Sequence, residues 1–144
     1  MKRAAAYLRR NRIITHPESV TVDGVGIVSQ PVFELASHDV VDLGAAILEA
    51  LQHSRDDVPH PAQAEWGKIG EPVLKAAKVK SWRTFATSAK YVHVRLETNR
   101  VVFTPTENLG PRGGFADLPA KERSCVPAAA DVGAALLAAF EDAV

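Results

Sequence analysis

The sequence predicts an α+β domain: a mostly antiparallel, twisted sheet with two long helices and one short helix packed against it. Three observations carry this. Ala89–Leu96 alternates apolar and polar residues and runs through a two-residue turn into a second valine-rich stretch. Two alanine-rich segments, one from Asp39 and one from near Asp131, place apolar residues at helical spacing. Between Val20 and Leu35, a Val- and Ile-rich stretch is interrupted by Gly24, Gly26 and Pro31, as strands joined by turns are.

In chain order, residues 3–9 are short and apolar and fit a first strand. Asn11–Glu18, with His16-Pro17, reads as a turn. Val20–Leu35 reads as one or two strands, roughly 19–23 and 25–35. Pro31 marks an edge or a bulge because it has no donor for a ladder. Asp39 is a good N-cap, and Asp42 suits the positive end of the helix that follows. Val40, Leu43, Gly44, Ile47, Leu48 and Leu51 form its buried face, while Glu49 and Gln52 point away. Residues 54–63 form a loop stiffened by Pro59 and Pro61, with Trp66 as an anchor beyond it. Pro72 opens a short helix to about Lys78. In the strand that follows, Val92, Val94 and Leu96 face one way and Tyr91, His93 and Arg95 the other. Thr98-Asn99 turns it into Arg100–Thr104. Pro105, Gly110-Pro111 and Gly113-Gly114 make a long loop before the last helix.

Two segments repeat. Asp42–Leu51 (DLGAAILEAL) parallels Asp131–Phe140 (DVGAALLAAF). A shared Gly-Ala-Ala patch lets a helix approach its neighbour closely. Each segment follows a valine-rich strand and a loop. The pattern fits either a duplicated strand–helix layout or convergence of two amphipathic helices.

The 144 residues are most simply one domain, 1–144, with 1–18 as an N-terminal extension or an edge strand. Hydrophobic residues make up 47% and charged residues 24%, which fits a globular chain with a real core. Cys125 is the only cysteine, so the chain can build no disulfide framework. The apolar run Ala4–Leu8 stops at Arg9, short of a secretory signal. No run reaches the length of a membrane span. These features point to a cytoplasmic location.

Net charge is zero, but it is split along the chain. Residues 13–74 hold ten acids against two bases, residues 75–125 ten bases against four acids, and residues 1–12 five bases and no acid. An acidic block gathered on one face would attract a basic partner and speed encounter. Interleaved by the fold, the blocks would instead cancel.

Catalytic patterns are missing: there is no HExxH, GxSxG or P-loop. Gly110-Pro-Arg-Gly-Gly114 lacks the Lys-Ser/Thr ending of a phosphate loop. His53 and His60 flank Asp56 and Asp57 without metal-motif spacing, so no metal or cofactor is expected. His93 with Cys125 or an acid would serve a small-molecule hydrolase only if the fold joined them. Lys75, Lys78, Lys80, Arg83 and Lys90 surround Trp82, Phe85 and Tyr91, a combination that can track phosphates and stack bases. A nucleic-acid-binding module over 75–91 is therefore the alternative reading.

Residues 78–94 contain Val-Lys-Ser-Trp82, Phe85, Ala89, Val92 and Val94. They are followed by Pro105, Asn108, Gly110 and Gly113-Gly-Phe115. This pattern resembles the bacterial contact-dependent growth inhibition immunity proteins, over roughly residues 20–142. The resemblance implies a cytoplasmic, non-enzymatic protein. Such a protein binds and blocks, by occlusion, the C-terminal toxin domain of a cognate effector, often a nuclease. Membrane, nucleic acid and small molecules are not expected partners. The acidic residues expected to meet the toxin are Glu34, Glu49, Asp56, Asp57 and Glu65. Asp39 and Asp42 are set aside because helix capping explains them.

Overall fold

A computed structural model describes all 144 residues. The chain folds as two similar halves joined by a helical insert. The first half is β1 (Lys2–Arg9), β2 (Arg12–Val20), β3 (Gly26–Val28), β4 (Phe33–Leu35) and α1 (Val40–His53). After a 3-10 turn at Gln63–Lys68 come two short helices, α2 (Glu71–Ala77) and α3 (Trp82–Ser88). The second half repeats the first: β5 (Lys90–Glu97), β6 (Arg100–Asn108), β7 (Phe115–Asp117), β8 (Arg123–Cys125) and α4 (Ala129–Asp142). Corresponding long strands start 88 positions apart, and α1 and α4 start 89 apart. The duplicated layout anticipated from the two Gly-Ala-Ala segments thus extends to every strand.

All strand pairs are antiparallel, in the order β3-β2-β1-β5-β6-β7, with β4 also on β2 and β8 also on β6. The β1–β5 pair therefore lies at the centre, and the N-terminal residues form neither an extension nor an edge. Residues 12–18 are strand, not turn. The actual turn is Arg10-Asn11, whose φ values of 49° and 63° match the paired positive φ of a type I′ hairpin. Thr98-Asn99 repeats this at 39° and 60°.

Pro17 is tolerated inside β2 for a topological reason. A residue's N–H and C=O point to the same side of a strand. Pro17 C=O accepts from Ser29 N at 3.0 Å, on the outer side. Its missing donor therefore faces the gap between β4, which pairs residues 13–15, and β3, which pairs 18–20. Pro105, 88 positions on, sits in the matching gap between β8 and β7 and accepts from Leu118 N at 2.9 Å. β6 consequently runs past Pro105 to Asn108, where the sequence suggested a loop. Pro31 lies in the link between β3 and β4.

Two helical layers cover the sheet. Ala4, Ala6, Ile13, Val92, Val94, Val101 and Phe103 pack against Leu43, Ile47 and Leu51 of α1 and Val132, Leu136 and Phe140 of α4. Val40 and Leu48, expected in the buried face of α1, are only half-buried, and Ala46 and Ala50 are buried instead. The two helices cross at their glycines. A Cβ on Gly44 would lie 1.7 Å from the Ala129 carbonyl oxygen, and one on Gly133 1.8 Å from that of Val40. Only glycine permits this reciprocal contact.

On the other face, Ala5, Tyr7, Ile14, Val73, Phe85 and Ala89 form a smaller core under α2 and α3. The helix α3 was not anticipated. Ser81 starts it by accepting from Thr84 N at 3.2 Å. Four helices thus pack on the sheet where three were expected. Asp39 caps α1 as expected, accepting from Val41 N and Asp42 N at 3.0 Å each.

Candidate functional site

α2 and α3 cover only part of their face of the sheet. The uncovered part is built from cross-strand rows. Glu18, Arg3 and Arg95 form one row; His16, Ala5, His93 and Thr104 form the next; Ile14, Tyr7 and Tyr91 lie nearest the helices. Tyr7 is the aromatic hub. Its ring centroid lies 4.9 Å from Tyr91, 5.1 Å from Phe85 and 6.0 Å from both Trp82 and His16. Burial, with the nearby Glu18 charge, pushes the Tyr7 phenol well above its ordinary range. Tyr91 is raised by burial and by its neighbours Tyr7, Glu18 and Asp117.

In the second half of this face Arg95, Thr104, Thr106 and Glu122 are tied to neighbouring side chains or to the backbone, and His93 Nε2 is not. Arg95 bonds Glu97 at 2.7 Å and both oxygens of Glu122 at 3.0 and 3.2 Å. Thr104 Oγ1 donates to Glu122 at 2.8 Å, and Thr106 Oγ1 to the Tyr91 carbonyl at 2.6 Å. Hydrogen bonds from Arg95 and Thr104 hold the Glu122 carboxyl below its usual range.

The first half is different. Here a cleft of about 320 Å³ opens among Ala5, Tyr7, His16, Glu18, Trp66 and Trp82. Trp66 and Trp82 are 37% and 38% exposed. His16 is buried, and its Nδ1 donates to the Pro17 carbonyl at 2.7 Å. Desolvation lowers the His16 pKa, opposed by that hydrogen bond and by Glu18. The ring is therefore neutral at physiological pH, and its buried Nε2 has no partner.

The expected toxin contacts fall in three places. Asp56 pairs with the N-terminal ammonium at 3.0 Å and with Arg3 at 3.7 Å. The hydrogen bond and charge of that ammonium hold its carboxyl below the usual range. Asp57, at φ 55°, is exposed beside it, and Glu65 adjoins Trp66 in the 3-10 turn, so these three rim the cleft end of the sheet. Glu34 pairs with Arg12 at the opposite end of β1. From Arg3 to Arg9 that strand spans ~20 Å. Glu49 is exposed on α1, whose buried side packs on the far face. The N-terminal bases thus neutralise part of the acidic block, and of the five expected contacts Glu49, Asp57 and Glu65 form no ion pair.

The alternative chemistries lose their geometry. Cys125 pairs with Val101 in register and packs against the main core, while His93 points from the opposite face. Burial raises the Cys125 thiol. His60 contacts Thr21 at 3.1 Å and Asp23 at 3.3 Å, and no group of three His, Cys, Asp or Glu side chains is placed to hold a metal ion. In the glycine-rich loop, Gly113 N and Gly114 N donate back to the Gly110 carbonyl and cradle nothing. The basic–aromatic cluster is only partly a surface: Lys90 bonds the Phe140 carbonyl at 3.0 Å, Phe85 is core and Tyr91 is stacked on Tyr7, while Lys75, Lys78, Lys80, Trp82 and Arg83 are exposed. No helix is long and apolar enough to cross a membrane.

Sequence and fold comparisons bear on this surface. The family model for CdiI, the CDI immunity protein, matches residues 29–143. The chain belongs to the CDI immunity protein family. Among solved structures, this CdiI-family chain is similar to one in a CdiA-CT/CdiI toxin and immunity complex from Yersinia pseudotuberculosis. The TM-score is 0.78 at 14% identity, covering 99% of this chain and 97% of that one. It is also similar to a protein of unknown function from Neisseria meningitidis, with TM-score 0.76 at 16% identity, covering 99% and 95%. At these identities the likeness is one of fold. No curated protein matches the sequence.

Two features of the site escaped the sequence reading. Glu18 counts there only as one acid among ten, and Trp82 only as an aromatic of the basic cluster and of the family pattern. The signal that could have found them is the 88-residue repeat. Where the first half has His16 and Glu18, the second has Thr104 and Thr106. A repeat that keeps its prolines and glycines but changes these two positions marks them as differentiated.

Proposed function

We propose that this CdiI-family protein binds the C-terminal toxin domain of a contact-dependent growth inhibition effector and neutralises it by occlusion. It acts in the cytoplasm without catalysing a reaction. The observation that carries this reading is the family match across residues 29–143. The chemistry of the uncovered sheet face supports it. Half-exposed tryptophans beside a cleft, ringed by charge, are the composition of a protein-recognition surface. Among the expected acidic contacts, Asp56, Asp57 and Glu65 are favoured, because Asp56 pairs with Arg3, the register partner of Glu18, Asp57 follows it, and Glu65 precedes Trp66. Glu34 and Glu49 then serve as outlying contacts or solvated surface.

The test is titration calorimetry against the purified cognate toxin domain. A 1:1 complex is expected. Charge reversal of Asp56 and Asp57 to Lys should weaken it at least tenfold, with an unchanged far-ultraviolet spectrum. Absence of any complex with the wild-type protein refutes the reading. Unchanged affinity of the double variant moves the interface away from these two residues.

A further inference from the structure

The cleft beneath Trp66 and Trp82 holds a carboxylate that no donor of the chain satisfies. Glu18 forms its polar wall. The Glu18 side chain is 22% exposed, yet its carboxylate accepts no hydrogen bond from the chain. The nearest cationic candidate, His93 Nε2, is 3.8 Å away, beyond hydrogen-bond reach, and is itself buried without a partner. Arg3, opposite Glu18 in the β1–β2 register, turns instead to Asp56. Beside Glu18 stands His16, whose proton is committed at Nδ1 to the Pro17 carbonyl and whose Nε2 is left as a buried lone pair. The backbone keeps the carboxylate here: Gly26 leaves room for it, and a Cβ at that position would come within 2.8 Å of Glu18 Oε1.

A largely buried carboxylate with no donor carries a desolvation cost that a cation seated against it offsets. The equivalent positions in the second half, Thr104 and Thr106, are both hydrogen-bonded, so the repeat leaves these two positions unpartnered only in the first half. The aromatic walls suit the same occupant, since indole and phenol faces attract ammonium and guanidinium groups.

We propose that this cleft receives a lysine or arginine side chain of the bound toxin domain, with Glu18 as its counter-ion and Trp66 and Trp82 as its walls. This rests on the toxin-binding reading above and adds an anchor residue to it. The basic side chain enters between the two tryptophans and donates to the Glu18 carboxylate. The His16 Nε2 lone pair lies beside it as a second acceptor. Closure of the interface over the cleft excludes water and strengthens the pair, which is the usual setting of a binding hot spot.

The experiment is a double-mutant cycle measured by calorimetry. Glu18→Gln keeps the shape and removes the charge. Gly26→Ala keeps the charge and displaces the carboxylate, moving only the free end of a flexible side chain. Each should weaken toxin binding at least tenfold while the thermal midpoint stays within a few degrees. Each lysine and arginine of the toxin domain is then replaced by Ala in turn. One of these variants should bind wild-type and Glu18→Gln proteins alike, because the pair is already broken. Wild-type affinity for both Glu18→Gln and Gly26→Ala overturns the anchor while leaving the toxin-binding reading intact. Weakened binding with no coupled lysine or arginine also overturns it. If the wild-type protein forms no complex, both proposals fall.

Discussion

Replacing Gly44 with alanine should destabilise the protein although alanine is the better helix former. In an exposed helix the change would gain about 1 kcal/mol. Here the added methyl would lie 1.7 Å from the Ala129 carbonyl oxygen, and a carbon–oxygen contact needs roughly twice that. The obstacle is backbone in the first turn of α4, not a flexible side chain, so the helices must separate by more than ~1 Å. Separation loosens Leu43 and Ile47 against Val132 and Leu136, all fully buried. Overpacking of this kind costs about 3 kcal/mol, leaving a net loss near 2 kcal/mol. For a chain of this size that lowers the thermal midpoint by roughly 6–8 °C. Thermal unfolding followed by circular dichroism reads it directly. Gly67→Ala is the control, since no atom lies within 4 Å of its added Cβ, and it should stay within ~0.5 kcal/mol of wild type. Gly133→Ala should behave like Gly44→Ala. The double variant should cost less than the two together, because one displacement of the helices relieves both clashes. A Gly44→Ala protein as stable as wild type refutes the close-crossing argument.

Asp39→Ala removes the side chain that accepts from Val41 N and Asp42 N and should cost ~1 kcal/mol, read from the urea midpoint. Its position away from the cleft predicts unchanged toxin affinity. Stability should fall as pH drops below about 6.5. Burial lowers the His16 pKa in the fold, so the unfolded chain binds more protons there and the stabilisation is lost as pH falls through the folded value. Urea midpoints from pH 8 to pH 5 should show this loss, and His16→Gln should flatten it. A wild-type slope retained in His16→Gln would assign the effect elsewhere.

The strongest local patterns translated directly into structure. The alternation of Tyr91 to Leu96, the turn at Thr98-Asn99, the Asp39 cap and the existence of the two long helices needed no tertiary knowledge. What failed depended on it. His16-Pro17 reads as a turn because proline breaks ladders, yet Pro17 and Pro105 each face a gap between two short outer strands. Only the sheet topology, not the local sequence, creates that gap. The same holds for the acids. Their count along the chain was plain, but the fold spends Asp56 on the N-terminus and Glu34 on Arg12, and leaves Glu18 without a donor. Tertiary placement decides which carboxylates are paired, and residue type and spacing do not encode it.

The central claim is neutralisation of a toxin by binding, and growth tests it most directly. Cells induced to express the cognate toxin domain should stop growing, and co-expression of this protein should restore growth at equal toxin levels. Continued arrest, with both proteins present and folded, would contradict the account.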